Sequence, residues 1–92
     1  MKELFNEMGE FSIKVFHEAE AKHHLIKLKH ESDEAINDIN NIEEYADCLL
    51  ALYAAIYKSG FIYEDIIMAA KDKLKVLKER KWDVKDGIYQ HI

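Results

Sequence analysis

The chain contains no proline, and its three glycines are widely separated, at Gly9, Gly60 and Gly87. Proline and glycine are the residues that most often interrupt helices, so their scarcity favours long helices with few breaks. Of the 92 residues, 49% are hydrophobic, which is enough for a packed core. The length allows one domain over residues 1–92 and no second one. These features predict an all-α fold.

Apolar residues recur at the three- and four-residue spacing of an amphipathic helix along four segments of the chain. The helices are expected over about Lys2–His17, His23–Ile36, Asn40–Ser59 and Tyr63–Lys81, with Asn40 as the N-cap of the third. Short links favour antiparallel neighbours, so we predict an antiparallel four-helix bundle. Apolar side chains would remain exposed on one subunit of so small a bundle, and a homodimer or homotetramer would cover them.

The start of the third helix can be placed in two ways. Asn40 followed by Glu43 has the pattern of a capping box, and this is the register that we prefer. The alternative N-cap, Asn41, would draw Glu44 into capping and remove it from any site nearby.

The two ends of the chain have contrasting patterns. The first helix carries a stripe of apolar residues that we expect to face the core: Leu4, Phe5, Met8, Phe11, Val15 and Phe16. Beyond Trp82, by contrast, the helical pattern stops, and Asp86-Gly87 indicates a turn into a short tail.

The net charge of −5 at pH 7 argues against general affinity for nucleic acid. No segment is long and apolar enough to cross a membrane, and Met1–Leu4 does not begin a secretory signal. The single cysteine, Cys48, excludes a disulfide within the chain and fits a reducing compartment. We therefore expect a cytoplasmic protein with neither nucleic acid nor a membrane as its partner.

Two pairs of carboxylates stand in the middle of the chain, Glu31-x-x-Glu34 and Glu44-x-x-Asp47. Residues three apart lie on one face of a helix, so antiparallel packing of the two helices would bring all four carboxylates together. Like charges at such distances repel unless a cation neutralises them, and Mg²⁺ prefers oxygen ligands. The pairs thus indicate a Mg²⁺ site and a substrate that carries phosphate. The alternative is an ordinary solvated acidic face, because such spacing also arises by chance.

Basic residues near these pairs are candidates for binding phosphate. Lys73 and Arg80 share one face of the fourth helix, and a lysine with an arginine is the usual combination for phosphate oxygens. Basic residues also collect at helix C-termini simply because they interact favourably with the helix dipole. On the second helix, Lys27 and His24 share the side of Glu31, where ordinary surface pairing is the alternative to a supporting role.

Small residues follow the second carboxylate pair along the third helix, at Ala51, Ala54 and Ala55. Their size leaves room for a groove that a substrate would enter. Alanines are equally suited to close packing of one helix against another, so both interpretations stay open.

Several motifs follow one another in order from His24 to the C-terminus. They are His24-Leu25, Glu31-x-x-Glu34, Glu44-Tyr-Ala-Asp47, Lys58-Ser-Gly60, the run from Lys73 through Arg80 to Trp82, and Gly87-x-x-x-His91-Ile92. Together they resemble the small dATP/dGTP diphosphohydrolases of phages and bacteria, within the MazG-like all-α nucleoside triphosphate pyrophosphohydrolases. Two positions depart from that pattern: His30 stands where the wider group often has a glutamate, and Leu77 stands where the family has an asparagine.

The resemblance implies hydrolysis of a (deoxy)nucleoside triphosphate, a purine such as dATP or dGTP, to the monophosphate and pyrophosphate. It implies that the four carboxylates bind Mg²⁺, with Mn²⁺ as a substitute: Glu31, Glu34, Glu44 and Asp47. Glu34 would also be a general base, Lys73 and Arg80 would stabilise charge on the phosphates, and Lys27 and Trp82 would help to bind the substrate. Trp82 or Tyr45 would meet the base, although buried packing is the simpler expectation for both.

Two further interpretations stay open. Leu77 and His30 favour a non-catalytic nucleotide-binding or regulatory helical module. A small helical interaction protein, with acidic and basic faces that serve only assembly, is the third.

Overall fold

The computed structural model describes residues 1–92 and consists of four α-helices followed by a β-hairpin. The elements are α1 (Lys2–Val15), α2 (Ala21–Asn37), α3 (Ile42–Lys58), α4 (Tyr63–Glu79), β1 (Trp82–Lys85) and β2 (Ile88–His91). The predicted all-α class and its four helices are confirmed. None of the helices combines the length and the apolar character needed to cross a bilayer.

The core lies where α2 and α1 both pack against α3. Phe5 of α1 is fully buried, and its ring meets that of Tyr53 edge-on, with 5.3 Å between the centroids. The rings of Tyr57 and Tyr63 lie within 5.8 Å of the same phenylalanine. Ala54 and Ala55 of α3 are also buried, and their small side chains let the helices approach closely.

The buried face of α1 differs from the predicted stripe. Besides Phe5, the buried residues of this helix are Gly9 and Ser12, whereas Phe11 and Phe16 remain half exposed. A Cβ atom at Gly9 would overlap the ring of Tyr57, so α1 crosses α3 where it has no side chain. Ser12 is buried because its Oγ donates a hydrogen bond to the carbonyl of Gly9, at 3.0 Å. Close backbone approach, rather than apolar side chains, therefore determines this face.

α2 begins two residues earlier than predicted. Glu20 is its N-cap, and the backbone N–H of Glu20 donates to Nδ1 of His23, at 2.9 Å. His23 thus completes a cap at the exposed end of the helix, whereas the next residue, His24, is buried.

The N-cap of α3 is Asn41, so the prediction of Asn40 is wrong. Oδ1 of Asn41 accepts from the backbone N–H of Glu43, at 3.1 Å, and its Nδ2 donates to Asp38, at 3.0 Å. Because Asn41 caps the helix through the backbone of Glu43, the side chain of Glu44 is not needed for capping. The expected conflict between this cap and a role for Glu44 does not arise.

α4 packs only lightly on the rest of the chain. It contacts α1, where Lys2 and Glu64 form an ion pair of 3.0 Å, and makes no extensive contact with α2 or α3. None of its residues is buried, and Met68, Leu74 and Leu77 are 59%, 50% and 40% exposed. The chain is therefore a packed unit of α1–α3 from which most of α4 extends.

The C-terminal segment is a β-hairpin, so the predicted turn at Asp86-Gly87 is confirmed, whereas the strands on either side of it were not predicted. β1 and β2 pair antiparallel, and the turn residues Asp86 and Gly87 both have positive φ, 53° and 77°. Two residues of this conformation form the turn that matches the twist of paired strands, and Asp-Gly is a favoured sequence for it. Nε1 of Trp82 donates to the carbonyl of Leu77, at 2.9 Å, and attaches the hairpin to the end of α4.

Candidate metal centre

Three of the four predicted metal ligands come together between α2 and α3. One carboxylate oxygen each from Glu31, Glu44 and Asp47 lie within 4.8 Å of one another. Glu34 is exposed and stands outside this group of three, but its side chain helps to lower the pKa of Glu31, and its negative charge helps to raise the pKa of Glu44. The packing of α2 against α3 thus brings together carboxylates that are distant in the sequence.

Two oxygens of this cluster are buried without a partner. Oε2 of Glu31 and Oε2 of Glu44 are shielded from solvent, and neither accepts a hydrogen bond. A buried carboxylate oxygen without a hydrogen bond costs free energy, and a hard divalent cation removes that cost because carboxylate oxygens are the ligands it prefers. The donor set of oxygens alone therefore fits Mg²⁺ or Mn²⁺.

The carboxylates of the cluster differ in protonation behaviour. Burial raises the pKa of Glu44, and the negative charges of Glu34 and Asp47 add to this effect. The pKa of Glu31 is instead lowered, chiefly by its hydrogen bond with Lys27, whose Nζ lies 2.9 Å from Oε1. In return, the bond with Glu31 raises the pKa of Lys27. The cluster holds more negative charge than this one lysine compensates.

A groove of about 280 Å³ opens beside the carboxylates, between α1 and the α2–α3 pair. Its lining includes Glu31 and Asp47 at one side and Ala51 and Ala54 at its base. Both alanines are buried, as is Ala55. The two interpretations of the alanines are thus compatible, because residues that allow close helix packing also leave the groove open.

α1 forms one wall of the groove, and this role of α1 was not predicted from the sequence. Met8, Phe11 and Phe16 line it, and the rings of the two phenylalanines meet edge-on, with centroids 5.6 Å apart. The signal that could have found them is the pair of small residues Gly9 and Ser12. Small residues three apart indicate the closely packed face of a helix, which turns the neighbouring phenylalanines away from the core.

His24 lines the same groove. It is 8% exposed, and burial lowers its pKa, to which the positive charges of His23 and Lys58 contribute. His24 also lines a second space of about 240 Å³, together with Phe16 and Lys27.

The structure does not bring Lys73 and Arg80 to the carboxylates of the same chain. Lys73 is exposed on α4 and Arg80 is the C-cap of that helix, which makes no extensive contact with α2 or α3. Trp82 is 38% and Tyr45 is 44% exposed, so the expectation of buried packing is wrong for both. The hydroxyl of Tyr45 donates to a backbone carbonyl, at 2.8 Å.

Comparison with known proteins gives two findings. A family model described as dATP/dGTP pyrophosphohydrolase matches residues 4–91, so the match includes α1, to which the motifs did not extend. The structure is similar to that of a cyanophage S-2L MazG-like pyrophosphohydrolase bound to dGDP and three catalytic Mn²⁺ ions per active site. That similarity has a TM-score of 0.82 at 25% identity and covers 98% of this chain and 94% of the other. No curated protein sequence matches the chain.

Proposed function

Because the chain belongs to the dATP/dGTP pyrophosphohydrolase family and has a MazG-like fold, we propose that it hydrolyses a purine deoxynucleoside triphosphate. The products would be the monophosphate and pyrophosphate, and the metal would be Mg²⁺. The observation that carries this proposal is the meeting of Glu31, Glu44 and Asp47, with two buried oxygens that have no partner.

The carboxylates are proposed to hold the metal. Glu31, Glu44 and Asp47 would be ligands through the oxygens that already converge, and Glu34 would join them from the adjacent turn of α2. When bound, the ion would neutralise charge on the phosphate oxygens and lower the pKa of an attacking water. Support comes from the all-oxygen donor set and from the raised pKa of Glu44, which is caused first by burial and then by the neighbouring negative charges.

Glu34 is also our candidate for the general base. Its side chain is exposed, so water reaches it, and it lies beside the carboxylates at which the phosphates would bind. A carboxylate in that position can accept the proton of the attacking water. Lys27 lines the groove and would bind a phosphate oxygen, because its ammonium group has three donors and Glu31 occupies one.

Lys73 and Arg80 are proposed to reach the phosphates from α4 of a second copy of the chain. The support is that α4 has no buried residue and exposes Leu74 and Leu77 beside these two cations. A homodimer or homotetramer would cover this apolar surface and bring the basic helix to the acidic cluster. Trp82 follows the same helix and would approach the substrate with it.

Release of pyrophosphate from a panel of nucleotides tests the function. The panel contains the deoxynucleoside and ribonucleoside triphosphates, each with Mg²⁺, with Mn²⁺ or with EDTA. Identification of both products is essential, because monophosphate with pyrophosphate indicates cleavage between the α and β phosphates, whereas diphosphate with inorganic phosphate does not. We expect metal-dependent formation of dAMP or dGMP. Binding of nucleotides without turnover would instead favour the non-catalytic module.

A further inference from the structure

The groove contains one buried polar side chain to which the proposed reaction gives no role, that of His24. Its exposure is 8%, and the side-chain hydrogen bonds of α2 leave its ring nitrogens unpaired. Those nitrogens are nevertheless not sealed from solvent, because the enclosed atoms without a partner belong only to Glu31 and Glu44. A buried imidazole that lines a groove is suited to a hydrogen bond with whatever fills that groove.

His24 lies at a useful distance from the metal centre. It precedes Glu31 by seven residues on α2, which is two turns along one face of the helix and about 10 Å. Both residues line the same groove. A ligand whose phosphates lie at Glu31 and Asp47 would therefore extend its other end to His24.

The walls between these two points suit a flat aromatic ring. Phe11 and Phe16 of α1 are 50% and 47% exposed, so their rings are accessible at one side. Ala51 and Ala54 lie at the base, and their short side chains leave the space that a planar group needs. Stacking on aromatic side chains is a general means by which proteins bind nucleobases.

We infer that the groove receives the base of the nucleotide and that His24 is a specificity-determining residue that hydrogen-bonds the polar edge of a purine. This inference rests on the proposed function and adds to it the place where the base binds. Phe11 and Phe16 form the aromatic wall of that place. His24 is two helical turns from Glu31, so it acts on the choice of base and not on the chemical step.

The protonation state of His24 fits this role. Burial, with the nearby charges of His23 and Lys58, lowers its pKa, and Lys27 lines the same space. The imidazole is therefore neutral at pH 7, with one nitrogen that donates and one that accepts. Exchange of the two tautomers lets it meet either the 6-oxo group of guanine or the 6-amino group of adenine.

The test compares His24→Leu and His24→Gln with His17→Leu, a control at an exposed histidine outside the groove. For dATP and dGTP we expect His24→Leu to lower kcat/KM about tenfold or more, through KM, because the base loses a buried hydrogen bond. His24→Gln should recover part of the loss, since an amide both donates and accepts. The control should match the original protein.

A ligand without a base separates recognition from a merely structural effect. Binding of tripolyphosphate with Mn²⁺ should be equal in His24→Leu and in the unsubstituted protein, whereas binding of dGDP with Mn²⁺ should weaken. Equal loss for both ligands would mean that His24 only supports the fold, and unchanged dGDP binding would also overturn the inference. Phe16→Ala should likewise weaken the binding of dGDP and leave the binding of tripolyphosphate unchanged.

Failure of this inference can be distinguished from failure of the proposed function. If the protein hydrolyses nucleotides and His24→Leu leaves kcat/KM unchanged, the function stands and the inference is wrong. If nothing is hydrolysed, the dGDP and tripolyphosphate titrations still decide the role of His24. Absence of both turnover and nucleotide binding would overturn both proposals.

Discussion

Lys27 and Glu31 form an ion pair across one turn of α2, in which Nζ of the lysine lies 2.9 Å from Oε1 of the glutamate. The two partners differ in environment, because the side chain of Lys27 is 64% exposed and that of Glu31 only 9%. Oε1 is held by the lysine, whereas Oε2 is buried without a partner. The lysine thus keeps Glu31 ionised at the edge of the groove and leaves its second oxygen available to a metal ion.

As pH falls, a variant with Lys27 replaced by methionine should lose its metal ion at a higher pH than the original protein does. The hydrogen bond with Lys27 lowers the pKa of Glu31, so without it Glu31 takes up a proton earlier as pH falls. A protonated carboxyl group is a poor ligand. Titrations of Mn²⁺ affinity over about pH 3 to 6 measure the shift, because the usual pKa of a glutamate lies near the middle of that range. Lys29→Met on the same helix is the control, and an identical pH profile for Lys27→Met would disprove the coupling.

Replacement of Glu44 with glutamine should stabilise the metal-free protein. Burial and the charges of Glu34 and Asp47 raise the pKa of Glu44 above its usual value of 4.5, so the folded state disfavours the ionised form. Stability is therefore lost as pH rises from 4.5 through the raised pKa, and the gain from glutamine should be present at pH 7 and absent at about pH 3.

Thermal melting in EDTA at the two pH values measures this effect, with the exposed Asp33→Asn as the control. Addition of Mn²⁺ should reverse the order, because the ion stabilises the original protein and not the variant. A lower melting temperature for Glu44→Gln at pH 7 would show that repulsion among the carboxylates is unimportant.

Replacement of Asp47 with asparagine should lower turnover at least about a hundredfold, since it removes a proposed metal ligand with little change in shape. Asp47 is exposed, so the fold should be retained, which circular dichroism can verify. Glu43→Gln, on the same helix but outside the cluster, should keep its activity. Full turnover by Asp47→Asn would remove this residue from the metal site.

Mixing two inactive variants should restore activity if α4 acts on a neighbouring subunit. In a dimer that pairs Asp47→Asn with Lys73→Ala, one site combines the intact carboxylates of one chain with the intact Lys73 of the other. Random pairing would then recover about a quarter of the original activity, because half of the dimers carry one intact site of two. Denaturation and joint refolding, followed by assay, would measure this. Recovery of no activity would place Lys73 in the site of its own subunit, whereas full activity of Lys73→Ala alone would place it outside both sites.

Replacement of Gly9 with alanine should destabilise the fold by about 1 to 3 kcal/mol, although alanine is the better helix former. The added Cβ would overlap the ring of Tyr57, so the crossing of α1 and α3 would have to widen. Urea unfolding measures the change, with Glu10→Ala at the exposed neighbouring position as the control. A gain in stability would mean that the ring of Tyr57 moves aside at no cost.

Local features of the fold could be predicted from the sequence because they depend on short-range chemistry. Helix number followed from apolar periodicity and from the absence of proline. The carboxylate pairs followed from three-residue spacing, since that spacing places both members on one face of a helix. The hairpin was also within reach, because Asp86-Gly87 is a favoured two-residue turn, but the strands on either side are too short to give a clear alternating pattern.

Other features were decided only by the tertiary structure, because they depend on which helices meet and how closely they pack. Spacing alone could not separate a solvated acidic face from a metal centre, whereas packing of α2 on α3 brings Glu31 within reach of Glu44 and Asp47. Periodicity assigned Phe11 and Phe16 to the core, but the crossing of α1 at Gly9 leaves them beside the groove. A helix has several faces of similar apolar character, and the one that is buried is chosen by the closest approach of its neighbours, which local sequence does not encode.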